Sequence, residues 1–113
     1  GRQSRCFGYV GDVVPAVMRL MGTPKARGEV FNIGGNEEIS IGELARKVRD
    51  AVDRRVPIRR VPYEEAYAPG FEDMRRRVPD LSKARRAIGY RPTHGIDAIV
   101  ARVVAHFRTA RTA

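Results

Sequence analysis

Glu29-Val-Phe-Asn-Ile-Gly-Gly-Asn-Glu-Glu-Ile-Ser-Ile-Gly-Glu-Leu44 is the stretch whose reading decides the fold class. Val30, Phe31 and Ile33 are β-branched or aromatic and run into Gly34-Gly35, which predicts a short strand over Glu29 to Ile33 with a glycine stop. Ser40 and Glu43 then stand three apart as a capping box, the serine oxygen taking first-turn amides and the glutamate reaching back to the cap amide. Behind the box, Ile41, Leu44, Ala45, Val48, Ala51 and Val52 line one face, so a helix is expected from Ile41 to about Asp53. Strand, glycine turn and helix in one run mark an α/β unit.

Upstream, Gly1 to Gly11 is glycine-rich and reads as a loop leading into a short extended piece around Phe7, Tyr9 and Val10. Asp12 is a suitable N-cap, and the spacing of Val13, Val14, Val17, Met18, Leu20 and Met21 predicts a helix over Asp12 to about Met21, with Pro15 tolerable in its first turn and Gly22 to close it. Downstream, Val56 to Val61, between Pro57 and Pro62, has the imperfect alternation of a partly exposed strand. Tyr63 to Pro79 has no period, carries Pro69-Gly70, ends in Arg75-Arg76-Arg77, and is expected to be a mobile binding loop. Asp80 caps a short helix through Leu81, Ala84 and Ile88 that stops at Gly89. Ile96, Ile99, Val100, Val103, Val104 and Phe107 predict a last helix packed on the core. The order β, α, β, α, β, α, α, about three short strands and four helices, has no internal repeat.

The chain has 113 residues, enough for one ordinary domain, with 42% hydrophobic and 31% charged residues, as in globular proteins. Its longest uncharged apolar run, Val13 to Met18, is far short of the about 20 residues that cross a bilayer, and no charged-then-apolar leader opens the sequence. Cys6 is the single cysteine and has no disulfide or zinc partners. A reducing cytoplasm is the expected compartment. The net charge is +9, and 19 of the 22 basic residues are arginine, a surface that attracts polyanions.

Most catalytic constellations are missing. No phosphate loop of the Gly-x-x-x-x-Gly-Lys type occurs, and Gly8-x-x-Gly11 lacks the third glycine of a dinucleotide fingerprint. His94 and His106 lack ligand spacing to each other or to Cys6, so no metal is expected. Glu37-Glu38 and Glu64-Glu65 are paired acids placed on capping or loop segments, where solvation is the expectation. Ser4 and Ser82 have no adjacent histidine base.

Three stretches in order carry a family pattern. Gly1-Arg-Gln-Ser-Arg5-Cys-Phe-Gly-Tyr-Val10-Gly-Asp12, then Val30-Phe-Asn-Ile-Gly34 with Glu38-Ile-Ser-Ile-Gly-Glu-Leu44, then Arg77-Val-Pro-Asp80-Leu-Ser-Lys83 with Gly89-Tyr-Arg-Pro92, resemble the C-terminal part of NAD-dependent nucleotide-sugar epimerases and dehydratases. These are extended short-chain dehydrogenase/reductases, and the likeness is to the branch with UDP-glucuronate decarboxylase and UDP-glucose 4-epimerase-like enzymes. The resemblance implies one partial domain over 1–113. Residues 1–35 would lie against the Rossmann sheet of the missing N-terminal half, and 36–113 would form the nucleotide-sugar portion. In the family, NAD and a Tyr-x-x-x-Lys pair do the chemistry, and neither a glycine-rich NAD loop nor that pair is present in this sequence. Four residues after Tyr9, Tyr63, Tyr67 and Tyr90 stand Val13, Tyr67, Phe71 and His94. The chain alone is therefore expected to bind no NAD and to carry no catalytic residue.

What the resemblance does carry over is a diphosphate clamp for a UDP-sugar, matched to Arg5 and Arg77, with Arg75 or Arg76 as substitutes within the run and Gln3 near nucleotide or loop backbone. Guanidinium forks suit a doubly charged, multi-oxygen acceptor. Two other classes compete: an arginine-rich nucleic-acid-binding module, against which the scattered arginines argue, and an interaction or dimerisation piece using an unpaired strand edge. A homo-oligomer or a complex with the missing half is the expected assembly.

Overall fold

The computed structural model describes residues 1–62, 65 and 74–110. The described elements, in order, are β1 (Ser4–Cys6), α1 (Val10–Met21), a 3-10 turn (Pro24–Ala26), β2 (Glu38–Ser40), α2 (Ile41–Val52), α3 (Ser82–Ile88) and α4 (Ile96–Ala110). β1 and β2 pair antiparallel with Ser4 opposite Ser40, Arg5 opposite Ile39 and Cys6 opposite Glu38. The α/β class holds, as a mixed unit of four helices and a two-stranded sheet among the described residues.

The helices begin for the reasons their sequences suggest, with two shifts. α2 opens on the capping box: Ser40 Oγ accepts from the Glu43 amide at 3.2 Å, and the Glu43 carboxylate takes the Ser40 amide at 3.2 Å. α3 ends at Gly89, which adopts the left-handed conformation at φ 67°. There the Gly89 amide donates to the Arg85 carbonyl and the Tyr90 amide to the Ala84 carbonyl. Asp80 lies one residue outside the observed cap position, yet its Oδ1 accepts the Ser82 amide at 2.8 Å. α1 starts at Val10, two residues before the expected Asp12 cap. Asp12 sits inside the first turn because its carboxylate is engaged elsewhere, accepting from both the amide and the hydroxyl of Thr93.

Two expected strands are not strands. Glu29 to Ile33 is irregular, with Val30 82% exposed. Its composition suits a sheet, but strand pairing needs a neighbour, and among the described residues none lies beside it. Val56 to Val61 is likewise irregular, with Val56, Ile58 and Val61 exposed. Pro57 and Pro62 remove donors that a ladder would use. The strands that do form among the described residues, β1 and β2, are three residues long each, too short to carry a period of their own. The Tyr63 to Pro79 loop lies largely outside the described residues.

Two small cores hold the elements together. Ala16, Leu81, Ala84 and Tyr90 join α1 to α3, with Phe31, Ile33 and Ile88 packed against them. Ile39, Ile96 and Val100 join β2 to α4, with Phe7, Leu44 and Val104 alongside. The radius of gyration is 17.1 Å, where a compact chain of this length has about 13 Å. One face of α1 stays open: Val10, Val14, Val17 and Met21, spaced four, three and four apart, are all exposed, with Met18 beside them.

Candidate functional site

Ser4 is the residue on which the basic run is assembled. Its amide donates to the Arg75 carbonyl at 3.0 Å, and an isolated parallel bridge pairs it with Arg76. β1 is thus flanked by β2 on one edge and by Arg75 and Arg76 on the other. Across the sheet, Glu38 receives the Ser4 hydroxyl and takes Arg76 in a fork: Nε lies 2.9 and 3.1 Å from the two carboxylate oxygens, and Nη2 lies 2.9 Å from Oε2. The hydrogen bonds from Arg76, then from Ser4, hold the Glu38 carboxyl below the usual carboxylate range.

Each sequence-predicted site residue finds a definite place. Arg5 lies opposite Ile39 on β1, and its Nη1 donates to the Ser4 carbonyl at 2.7 Å. The Gln3 carbonyl accepts the Ile41 amide at 3.0 Å, a contact that fixes the backbone at the start of α2. Arg75 is exposed, with its carbonyl committed to β1. Arg77 is exposed and lines a cavity of about 580 Å³ together with Cys6, Gly8, Asn32, Gly34 and Asp80. Arg5 is not among the residues lining that cavity.

Glycine backbones build one wall of this cavity. A Cβ on Gly35 would lie 2.1 Å from the Phe7 carbonyl oxygen, and one on Gly8 would lie 2.9 Å from Gly34 Cα. Asn32, which also lines the cavity, donates from Nδ2 to the Asp80 carbonyl at 3.2 Å. Gly8 is therefore a packing glycine, set against protein backbone where a dinucleotide loop would approach a pyrophosphate. The Gly8 turn does not fit a nicotinamide dinucleotide. Cys6 is free, and burial, followed by the Glu38 charge, pushes its thiol up, so the reactive thiolate is disfavoured.

The paired acids Glu37 and Glu38 are exposed, as the sequence suggests, and each is also hydrogen-bonded. Glu37 Oε2 accepts the Ile96 amide at 2.9 Å at the start of α4, and Glu38 holds Ser4 and Arg76. Both carboxylates meet donors that lie far away in sequence, and no local pattern announces them. Of the second acid pair, Glu64 lies outside the described residues. A second cleft of about 440 Å³ beside α2 is lined by Glu37, Glu38, Glu43, Arg46, Lys47 and Asp50, among others.

Sequence reasoning also missed a polar junction between α1 and the loop before α4. Thr93 Oγ1 lies 2.7 Å from His94 Nδ1 and hydrogen-bonds Asp12 Oδ1, while the His94 ring sits 4.3 Å from the Tyr9 ring, centroid to centroid. His106 packs against Phe107. No group of three or more metal-ligating side chains occurs among the described residues, and no described helix is long and apolar enough to cross a membrane.

Comparison with known proteins shows what the chain is similar to. The family model of GDP-mannose 4,6 dehydratase matches residues 1–103. The UDP-N-acetyl-alpha-D-glucosaminuronate decarboxylase of Bacillus cytotoxicus is 38% identical, over 81% of this chain and 28% of that enzyme. UDP-glucuronic acid decarboxylase 6 of Arabidopsis thaliana is 37% identical, over 81% of this chain and 24% of the enzyme. The chain thus spans about a quarter of the length of these relatives. An epimerase from Methanothermobacter thermautotrophicus shares the fold with a TM-score of 0.80 at 21% identity, covering all of this chain and 33% of that one. The UDP-glucuronic acid 4-epimerase of Bacillus cereus, solved in complex with NAD, has a TM-score of 0.60 at 24% identity, over 89% of this chain and 28% of that one.

Proposed function

This chain belongs to the NAD-dependent epimerase/dehydratase family, and from that premise we propose that it is the nucleotide-sugar-binding portion of such an enzyme, gripping the diphosphate of a UDP-sugar with Arg5 and Arg77. The observation that carries this is the bridge between Ser4 and Arg76, which lays the basic run alongside the strand that bears Arg5. Side chains alternate along paired extended backbone. Ser4 and Arg76 both turn toward Glu38, and in this account Arg5, Arg75 and Arg77, one residue away on either segment, alternate to the other side. In this account two guanidinium forks, one from β1 and one from the basic run, close on one multi-oxygen anion when it binds, where lysines would offer point charges.

The hydride chemistry belongs to residues outside this sequence. No tyrosine here has a lysine four residues on, and Gly8 is used for backbone packing. In this account residues 1–35 lie against the rest of the enzyme, residues 36–113 hold the substrate, and the whole protein epimerises, decarboxylates or dehydrates its sugar. The open apolar face of α1 supports that division, because an exposed stripe of four large apolar side chains at helical spacing is a surface awaiting a partner. The bound sugar nucleotide is named from the UDP-sugar enzymes among the relatives.

Calorimetric titration with UDP and with uridine tests the proposal. UDP should bind at least about tenfold better than uridine, and Arg5→Ala or Arg77→Ala should each weaken UDP binding about tenfold, the loss of one aligned charge-assisted contact. Arg60→Ala removes the same charge from an exposed position between α2 and the basic run, and should leave UDP affinity within about twofold. Equal losses in all three variants would make the attraction diffuse electrostatics and would favour a general polyanion-binding surface.

A further inference from the structure

Three consecutive arginines leave a register open: which of them meets the ligand, and what keeps the others from competing? Glu38 and Arg76 answer both questions. Arg76 offers Nε and Nη2 to the two oxygens of one carboxylate, which is the same fork that would otherwise take a phosphate. With that edge occupied, Arg76 has only its outer Nη1 and Nη2 end left for an anion, and its side-on fork is committed to Glu38.

We propose that Glu38 is a positioning residue for the diphosphate site, anchoring Arg76 on one face of β1 so that Arg75 and Arg77 are presented on the other, beside Arg5. This rests on the nucleotide-sugar reading given above. Glu38 is well placed for the task. It lies on β2 directly across from Cys6, so its backbone is fixed by the sheet, and its carboxylate also receives the Ser4 hydroxyl. The Ser4 amide in turn holds the Arg75 carbonyl, so side-chain and backbone bonds clasp the run at adjacent residues. Hydrogen bonding from Arg76 and Ser4 favours the ionised carboxyl, which keeps the anchor charged at neutral pH. Arg76 is 69% exposed at its side chain, and exposed pairs add little to global stability. The effect of Glu38 is therefore to be sought in ligand binding, with the melting temperature almost unmoved.

A charge swap separates the anchor from a direct ligand. UDP and uridine titrations are compared for the wild type, Glu38→Gln, Arg76→Glu and the double variant Glu38→Arg with Arg76→Glu, each checked for an unchanged thermal transition. We expect Glu38→Gln and Arg76→Glu to weaken UDP binding about tenfold with uridine binding unaffected, and the swap to recover UDP binding to within about threefold. A swap as weak as Arg76→Glu alone would mean that Arg76 itself holds the phosphates, and would overturn the proposal. So would a Glu38→Gln variant that binds UDP like the wild type. Limited trypsin digestion without ligand gives a second measurement: cleavage after Arg77 should be faster in Glu38→Gln than in the wild type. Equal cleavage would show that Glu38 anchors nothing. A wild type that does not distinguish UDP from uridine would overturn the functional reading and the ligand half of this proposal. The cleavage comparison would still decide whether the anchor exists.

Discussion

The Tyr90 hydroxyl donates a 2.8 Å hydrogen bond to the backbone carbonyl of Gly34, 56 residues away in sequence. Tyr90 is 5% exposed and packs with Ala16, Leu81 and Ala84, so this bond ties the core of α1 and α3 to the glycine wall of the cavity that Arg77 lines. Burial pushes the phenol up, which keeps it a donor over the accessible pH range.

Tyr90→Phe keeps the ring and leaves the Gly34 carbonyl without its partner. The expected loss is about 1–2 kcal/mol in urea unfolding, from the missing bond and the poorly solvated acceptor. Tyr90→Ala should lose more, about 3 kcal/mol, because a cavity is added. Equal, small losses in both variants would show that the residue is peripheral.

Asp12 makes stability pH-dependent in a stated direction. Burial alone would push its carboxyl up, but the bonds from Thr93 and the neighbouring His94 outweigh it and hold the carboxyl below its ordinary value. Its contribution is therefore present above about pH 4, the unfolded value, and is lost as pH falls through the lower folded value. Asp12→Ala should cost about 1–2 kcal/mol at pH 7, with the gap to wild type closing on acidification. Urea midpoints at pH 7 and pH 3 check this, and a gap that widens toward pH 3 would contradict it.

The open face of α1 predicts self-association of the isolated chain. Val14→Glu with Val17→Glu places two charges in the stripe Val10, Val14, Val17 and Met21, and should shift a concentration-dependent sedimentation profile to that of a monomer. A wild type that stays monomeric at high concentration would mean that the stripe needs no cover.

Local signals in the sequence carried well. Ser40 and Glu43, three apart, are a complete capping box, and Gly89 closes α3 in the left-handed conformation that its residue type suggests. Glu29 to Ile33 misled for a physical reason: β-branched and aromatic content reports suitability for a sheet, and the neighbour that would complete the ladder is not among the described residues. The run Arg75-Arg76-Arg77 is legible in the sequence as a basic segment, but which of its arginines pairs with an acid of the chain is not. Glu38 takes Arg76 from 38 residues away, across a sheet whose two strands are three residues each. Asp12 was misassigned because a carboxylate near a helix start looks alike whether it caps its own helix or reaches a loop 81 residues on.

Mapping the ligand on the molecule tests the central claim most directly. In a titration of the isotope-labelled chain with UDP, followed by amide chemical shifts, the account predicts saturable changes concentrated at Gln3 to Cys6 and Arg75 to Asp80, with uridine producing far smaller ones at the same concentration. Shifts scattered over Arg46, Arg59, Arg60, Arg85 and Arg102 alike, reproduced by inorganic pyrophosphate or random duplex DNA and removed by modest salt, would contradict a nucleotide-sugar site formed by Arg5 and Arg77.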